Sequence, residues 1–346
     1  MSFDPNGVGV ANGNIFGFPV TEVEADIVII PAPWDVTASY SKGTSGGPQA
    51  ILTASTQLDF FHPQLDKAYE TNVFMAPISE DWKSINDDFN LRSGVYFSDL
   101  EHLGEAEAQE KHYELIGEIN RAHSAMTDAL FERASALLKQ GKICAVLGGE
   151  HSTPLGLIQA IDATYNSFSI LQIDAHADLR IAYEGFEQSH ASIMYNVVNT
   201  CSNLERLVQV GIRDLSEDEY HRSIEHPKIN TFFDWQLKEA AFNGETWKNQ
   251  CNEIINSLGE SVYISFDIDG LIPNLCPNTG TPVAGGFTLE QVSYLFFTLV
   301  KTGRRIVGFD LNEVSPGKDG DWDANVGARA LWQLVCCAEL SRRKSC

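Results

Sequence analysis

The chain alternates short apolar runs with helical segments, and the runs end alike. Ile143-Cys-Ala-Val-Leu147 closes on Gly148-Gly-Glu-His-Ser152, and Ser167-Phe-Ser-Ile-Leu-Gln-Ile173 closes on Asp174-Ala-His-Ala-Asp178. Leu207-Val-Gln-Val-Gly211 leads into Ile212-Arg-Asp214, Val262-Tyr-Ile-Ser-Phe266 into Asp267-Ile-Asp269, and Ile306-Val-Gly-Phe309 into Asp310-Leu-Asn-Glu313. Ala25-Asp-Ile-Val-Ile-Ile30, bounded by Pro31 and Pro33, is an earlier run of this kind. Such near-continuous, β-branched runs are strands buried on both faces. Helical segments lie between them at residues 154–165, 191–199, 216–226, 236–258, 288–301 and 325–340. A longer helix is expected over 106–140, where Ile116, Ile119, Met126, Leu130, Ala134 and Leu137 form an apolar stripe.

This alternation predicts an α/β fold whose parallel sheet is covered by helices on both faces. Polar residues gather where the strands end, which is where open α/β sheets build their sites. Gly47-Pro48 opens a short helix, with proline at its first position. Residues 1–25 are Gly/Asn-rich and then acidic, and read as an irregular arm. Residues 60–104 are the least regular part, with a candidate strand at 71–75. No Pro/Gly/Ser linker interrupts the chain, so residues 1–346 are expected to form one domain.

Composition narrows the partners. Hydrophobic residues make up 43% and charged ones 21%, which are globular values. No run reaches the ~18 apolar residues of a membrane span. The start, Met1-Ser-Phe-Asp-Pro, has neither a basic segment nor an apolar core of a secretory signal, so a cytoplasmic protein is expected. The cysteines (Cys144, Cys201, Cys251, Cys276, Cys336, Cys337, Cys346) are odd in number and scattered without a C-x-x-C, as reduced thiols are. Cys276, the one near a motif, reads as a loop thiol without a catalytic role. The formal charge of −23 disfavours nucleic acid and anionic membranes and favours bound cations and small cationic ligands.

The strand ends carry the chemistry. Asp174, His176 and Asp178 alternate along an extended segment and so face one way. With His151, Asp267 and Asp269 they make two imidazoles and four carboxylates without sulfur. That donor set suits Mn²⁺, with Mg²⁺, Fe²⁺, Co²⁺ or Ni²⁺ as alternatives, and is larger than one ion with an open position needs. It suffices for two ions about 3.5–4 Å apart if two aspartates bridge. A lone Asp-x-Asp is a weak signal, more often a cap or turn. Three such motifs, each closing a buried strand, are a strong one.

In these motifs the chain resembles the ureohydrolase family of arginases and agmatinases, from about residue 25 to 340 and least over 60–104. The resemblance implies a three-layer α/β/α fold with a mostly parallel eight-stranded sheet. It also implies a two-Mn²⁺ hydrolase acting through a bridging hydroxide, and a homo-oligomer, trimer or hexamer. By the same resemblance, His151, Asp174, Asp178 and Asp267 hold one metal. His176, Asp174, Asp267 and Asp269 hold the other, with Asp174 and Asp267 bridging. His190, in Ser189-His-Ala-Ser192, matches the family's proton-carrying histidine. Glu313, in Asn312-Glu-Val-Ser-Pro316, matches the glutamate that binds the substrate guanidinium. Two positions depart from the family pattern: Glu150 stands where aspartate is usual in Gly-Gly-Asp-His, and Ile272 where aspartate is usual after Asp269-Gly-Leu.

Within the family, Asp178-Leu-Arg-Ile-Ala-Tyr-Glu-Gly185 and Trp34-Asp-Val-Thr-Ala-Ser-Tyr40 are most similar to agmatinases, which implies agmatine, a small cationic guanidino compound, converted to putrescine and urea in polyamine biosynthesis. Arg180 points the other way, toward an acidic substrate such as a guanidino acid or formiminoglutamate, unless a local carboxylate such as Glu184 or Glu187 neutralises it. Arginine and guanidine remain alternatives, as does a catalytically silent member that binds polyamines. The remaining histidines (His62, His102, His112, His123, His221, His226) are expected at the surface or in helix caps.

Overall fold

The computed structural model describes residues 4–317 and 320–345. Eight strands form one sheet in the order β2-β1-β3-β8-β7-β4-β5-β6, every pairing parallel. They are β1 (Ile27–Ala32), β2 (Val73–Met75), β3 (Ile143–Gly148), β4 (Phe168–Ile173), β5 (Leu204–Ile212), β6 (Ile229–Phe233), β7 (Ser261–Asp267) and β8 (Arg305–Asn312). Strands β1, β3, β4, β7 and β8 are buried along almost their whole length because helices cover both faces. β6 was not apparent in the sequence. It is a five-residue edge strand, largely half-buried, without an apolar run.

Eleven helices flank the sheet among the described residues. On one face α1 (Gly47–Ser55), α8 (Asp234–Phe242), α9 (Trp247–Asn256), α10 (Leu289–Lys301) and α11 (Trp322–Ser345) contribute to one apolar cluster. On the other, α2 (Glu80–Leu103), α3 (Glu105–Lys111), α4 (Tyr113–Leu138), α5 (Leu155–Thr164) and α6 (Ile193–Thr200) contribute to a second. α7 (Glu217–Glu225) sits beside β6, started by a Ser216–Glu219 capping box.

Three expectations need correction. The helix expected over 106–140 is two, α3 and α4, interrupted at His112 (φ −109°), whose Nε2 reaches Asp99 Oδ2 at 2.6 Å. The helix expected over 236–258 is likewise two, α8 and α9, because Gly244 at φ +95° turns the chain where a Cβ would be strained. Residues 60–104, which looked irregular, contain the 24-residue α2. Ser79 caps its start by accepting from the Trp82 N–H, and Gly104 (φ 82°) ends it. Its apolar stripe is thin: the large residues it buries are Phe89, Tyr96 and Phe97.

The N-terminal arm is irregular but not loose. Asn14 accepts from Met75 N–H at 2.9 Å and donates to Val73 O at 3.2 Å, stitching the arm to β2. Phe16 and Phe18 then pack edge-on with Phe60 and Trp332, with centroids 5.0 Å apart for Phe16–Trp332 and 4.9 Å for Phe18–Phe60. Phe16 is fully buried, so Phe16→Ala is expected to cost roughly 3–5 kcal/mol of stability, read from urea unfolding. A loss below about 1 kcal/mol would show the arm to be dispensable to the core.

Candidate active site

β3, β8, β7 and β4 are consecutive neighbours, and all run the same way. Their C-terminal ends therefore lie side by side, separated by about 4.8 Å per strand. His151 follows β3, Glu313 follows β8, Asp267 ends β7 and Asp174 follows β4. Residues far apart in sequence thus meet at one edge.

Backbone geometry then aims the side chains. Asp174 Oδ1 accepts from the His176 N–H at 2.7 Å, and Asp267 Oδ1 from the Asp269 N–H at 2.8 Å. These two-residue turns leave one carboxylate oxygen of each aspartate directed elsewhere. Gly149 lets the chain pass against Trp34, whose carbonyl a Cβ would meet at 1.9 Å. The Glu150 N–H donates to that same carbonyl at 2.8 Å. Asp178 (φ 54°) and Glu313 (φ 62°) occupy the left-handed region, unusual for side chains of this size. Both are held from two sides: Asp178 O accepts from Met194 and Tyr195 N–H, while Glu313 N–H donates to Gly149 O and Thr279 Oγ1 donates to Glu313 O.

The ligand atoms fall into two overlapping groups. His151, Asp174 and Asp267 form one; Asp174, His176 and Asp269 form the other, with the atoms of each group within 4.8 Å of one another. His151 Nδ1 lies 2.9 Å from Asp174 Oδ2, 3.0 Å from Asp178 Oδ2 and 3.3 Å from Asp267 Oδ2. His176 Nδ1 lies 3.0 Å from Asp269 Oδ2 and 3.7 Å from Asp174 Oδ1.

Whether this cage fits a metal can be tested through the His151 tautomer. Its Nε2 is 2.9 Å from Ser265 Oγ, and Ser265 Oγ donates to Asp310 Oδ1 at 3.1 Å. With its own hydrogen committed to Asp310, Ser265 accepts from His151 Nε2–H. Nδ1 is then the ring atom that faces three carboxylate oxygens, a place for a positive charge, either a proton on Nδ1 or a metal ion bound to it. Lone pairs and anions converging in a buried space repel unless a cation sits among them. The donor set fits divalent metal ions.

The same strain shows in the acidities. Burial first, and the Asp174 charge second, push the Asp178 pKa up to about 7. Burial and the neighbouring carboxylates Asp269 and Asp174 hold Asp267 well above the usual range. Burial opposes the charged form of both histidines, yet the carboxylates around them outweigh it and raise both well above normal.

Beside the cage, a cleft of about 270 Å³ is lined by His176, Arg180, Tyr183, His190, Asp214 and Thr281, among others. A larger apolar groove near Leu58, Phe297 and Trp332 holds none of these clustered groups. The His190 ring stands edge-on to Tyr183, and burial followed by the charges of His176 and His151 lowers its pKa to about 4. Glu313 Oε1 accepts from the His151 N–H at 2.8 Å. Burial first and Glu150 second raise the Glu313 pKa well above normal.

Other placements differ from expectation. Arg180 is paired, but with Glu219 (3.5 Å) rather than Glu184 or Glu187, and its guanidinium stacks 4.9 Å over Tyr183. His62 and His123 are buried rather than superficial. Ile272 leaves the following loop supported: Arg213, whose role the sequence did not reveal, donates to the carbonyls of Asp269 (2.6 Å), Leu271 (3.2 Å) and Val283 (3.0 Å). Thr37, Ser265 and Asp310 were equally invisible as partners of the site, because only the folded chain brings them to the histidines.

A family model described as "Arginase family" matches residues 25–337. The chain belongs to the arginase family. It is a hydrolase of amidino carbon–nitrogen bonds, a chemistry the family typically performs with a pair of metal ions. It is 32% identical to the N(1)-aminopropylagmatine ureohydrolase of Thermus thermophilus over 308 residues, 89% of this chain and 88% of that one. It is 30% identical to the agmatinase of Proteus mirabilis over 315 residues, 90% of this chain and 87% of that one. The fold is also that of the agmatine ureohydrolase of Thermoplasma volcanium (TM-score 0.72, 23% identity, 96% of both chains). The arginase of Bacillus subtilis shares it too (TM-score 0.62, 19% identity, 89% of this chain and 98% of that one).

Burial lowers the pKa of His123 to about 4, against about 6.5 in an unfolded chain. Between those values the unfolded state binds the proton and the folded state does not. The stability is therefore full above about pH 6.5 and is lost as pH falls toward 4. His123→Gln is expected to remove about 3 kcal/mol of the stability difference between about pH 7 and pH 4, measured by urea unfolding at both. Equal pH dependence in the two proteins would show that His123 is already protonated in the fold.

Proposed function

We propose that this enzyme releases urea from a linear guanidino compound whose far end carries positive charge, with agmatine, converted to putrescine, as the principal substrate. The observation that carries this is Glu313. It is buried, one of its oxygens is tied to the His151 N–H, and the other has no hydrogen-bond partner among the described residues. A planar guanidinium answers that oxygen with charge-assisted N–H bonds.

The cleft supports a cationic tail over an acidic one. Arg180, the group that would greet a carboxylate, is spent on Glu219 and Tyr183. Asp214 stands at the cleft, its side chain 67% exposed, with His176 as a distant neighbour at 4.0 Å. The name of the Thermus thermophilus relative favours a second reading, N(1)-aminopropylagmatine, which carries a longer cationic tail on the same guanidino head.

His151, Asp174, Asp178 and Asp267 would hold one ion, and His176, Asp174, Asp267 and Asp269 the other. When bound, a pair of divalent ions, Mn²⁺ by preference with Ni²⁺, Co²⁺ or Fe²⁺ as substitutes, would supply activated water and Lewis acidity. Glu313 fixes the guanidinium so that its carbon faces the cage. As the bond from that carbon to the tail nitrogen breaks, His190 delivers a proton to the nitrogen, and urea and the amine leave. The reading includes a cytoplasmic homo-oligomer, trimer or hexamer, in polyamine biosynthesis. The six described cysteines are all free and buried, and no helix among the described residues is long and apolar enough to cross a membrane.

Urea release should be fastest with agmatine or N(1)-aminopropylagmatine, at least about tenfold above arginine, 4-guanidinobutyrate, formiminoglutamate and guanidine in kcat/KM. A preference for an acidic substrate would return Arg180 to the binding site. Two bound metal ions without urea from any of these compounds would leave a silent polyamine-binding protein. Asp267→Ala is expected to lose metal, measured by elemental analysis, together with activity. Unchanged stoichiometry would refute Asp267 as a shared ligand.

A further inference from the structure

Glu150 takes no part in the ligand cage, yet it is fully buried and accepts three hydrogen bonds. Thr37 N–H donates to its Oε2 at 2.9 Å, Thr37 Oγ1–H to its Oε1 at 2.7 Å, and Ser152 Oγ–H to the same Oε1 at 2.6 Å. Thr37 in turn touches His190 twice: its Oγ1 is 3.1 Å from His190 Nδ1 and accepts from the His190 N–H at 3.3 Å. A hydroxyl has one hydrogen and two lone pairs. The hydrogen goes to the carboxylate, one lone pair takes the backbone N–H, and the other faces the imidazole.

We propose that Glu150, acting through the Thr37 hydroxyl, holds His190 in the tautomer protonated at Nδ1, so that Nε2 is the nitrogen that carries protons in the cleft. The proposal rests on the reading of His190 given above and adds how its useful nitrogen is chosen. Nε2 has no hydrogen-bond partner among the described residues, and the ring lines the cleft. Were the Thr37 hydrogen aimed at Nδ1 instead, the ring's lone pair would be sealed against Thr37. Nε2 would then be unable to accept a proton before delivering it.

A second hydroxyl also points at Glu150. Ser152 gives its hydrogen to Glu150 Oε1, and its oxygen lies 2.8 Å from His123 Nε2. His123 Nδ1 lies 2.5 Å from Gln188 Oε1, which also accepts from Thr127 Oγ1–H at 2.9 Å. The carboxylate is the sink toward which both hydroxyls point. Glu150 and Thr37 are positioning residues, neither touching the substrate nor belonging to the ligand cage.

Nitrogen-15 spectra of histidine-labelled protein, with His190 assigned by its loss in His190→Asn, read the tautomer directly. The ring proton is expected on Nδ1 in the wild type. It should move wholly or partly to Nε2 in Thr37→Val and in Glu150→Gln, where an acceptor becomes a donor. A wild-type proton on Nε2, or a proton unmoved by either change, overturns the proposal.

Kinetics give a second reading. Thr37→Val should lower kcat about 10²-fold with KM and bound metal unchanged, and Thr37→Ser should restore most of it. Added to His190→Asn, Thr37→Val should cost nothing further, since it acts through that ring. Additive losses, loss of metal in Thr37→Val, or failure of serine to rescue would overturn it. If His190→Asn itself leaves kcat unchanged, the proton-carrying reading fails instead, while the spectra still judge the tautomer.

Discussion

Concentrated negative charge is what this structure has to accommodate. Asp174, Asp178, Asp267 and Asp269 are all nearly inaccessible to water and crowd around two imidazoles. Burial and mutual repulsion push Asp178 and Asp267 toward the protonated form, while against its own burial Asp174 is held low by the two imidazoles. Divalent ions do the same neutralising work and add Lewis acidity. The parallel sheet is what makes the crowding feasible, because it brings the ends of β3, β8, β7 and β4 into one row and lets backbone N–H groups of the following turns satisfy the inner carboxylate oxygens.

Two hydroxyls around the site sort hydrogens in opposite senses. Ser265 passes its hydrogen to Asp310 and so takes the Nε2 hydrogen of His151, freeing Nδ1 toward the cage. Thr37 passes its hydrogen to Glu150 and faces Nδ1 of His190. An imidazole offers one lone pair, and a neighbouring carboxylate decides through a hydroxyl which face it leaves by. A change at Ser265 would act through His151 on the cage, and one at Thr37 through His190 on the cleft, though neither hydroxyl belongs to the cage.

The motifs and strand alternation made the fold class and the clustered side chains legible, because buried parallel strands are apolar throughout and their polar ends stand out. What stayed hidden has physical causes. α2 buries so few large side chains that no stripe marks it, and β6 lies at the edge with half-exposed residues. The break at His112 falls before the stripe that starts at Ile116, where α3 buries only Ala108, and the break at Gly244 is a single turn between two short helices. Arg180 was readable as ion-paired, but Glu219 comes from a helix beyond the next strand, and no local pattern connects them. Glu150 looked like a one-methylene departure; only the fold shows that its reach extends to Thr37.

The row of strand ends also bears on how the protein matures. β3, β8, β7 and β4 are spatial neighbours but not sequential ones, and β8 comes last in the chain yet lies in the middle of the sheet. No contiguous fragment lacking β8 can place Glu313 beside His151 or close the sheet between β3 and β7. During synthesis the two halves of the site wait for the final strand, a long-range closure that is slow by nature. An ion that prefers the completed cage would pull that equilibrium toward the finished fold, so that the last strand and the metal would complete the site together.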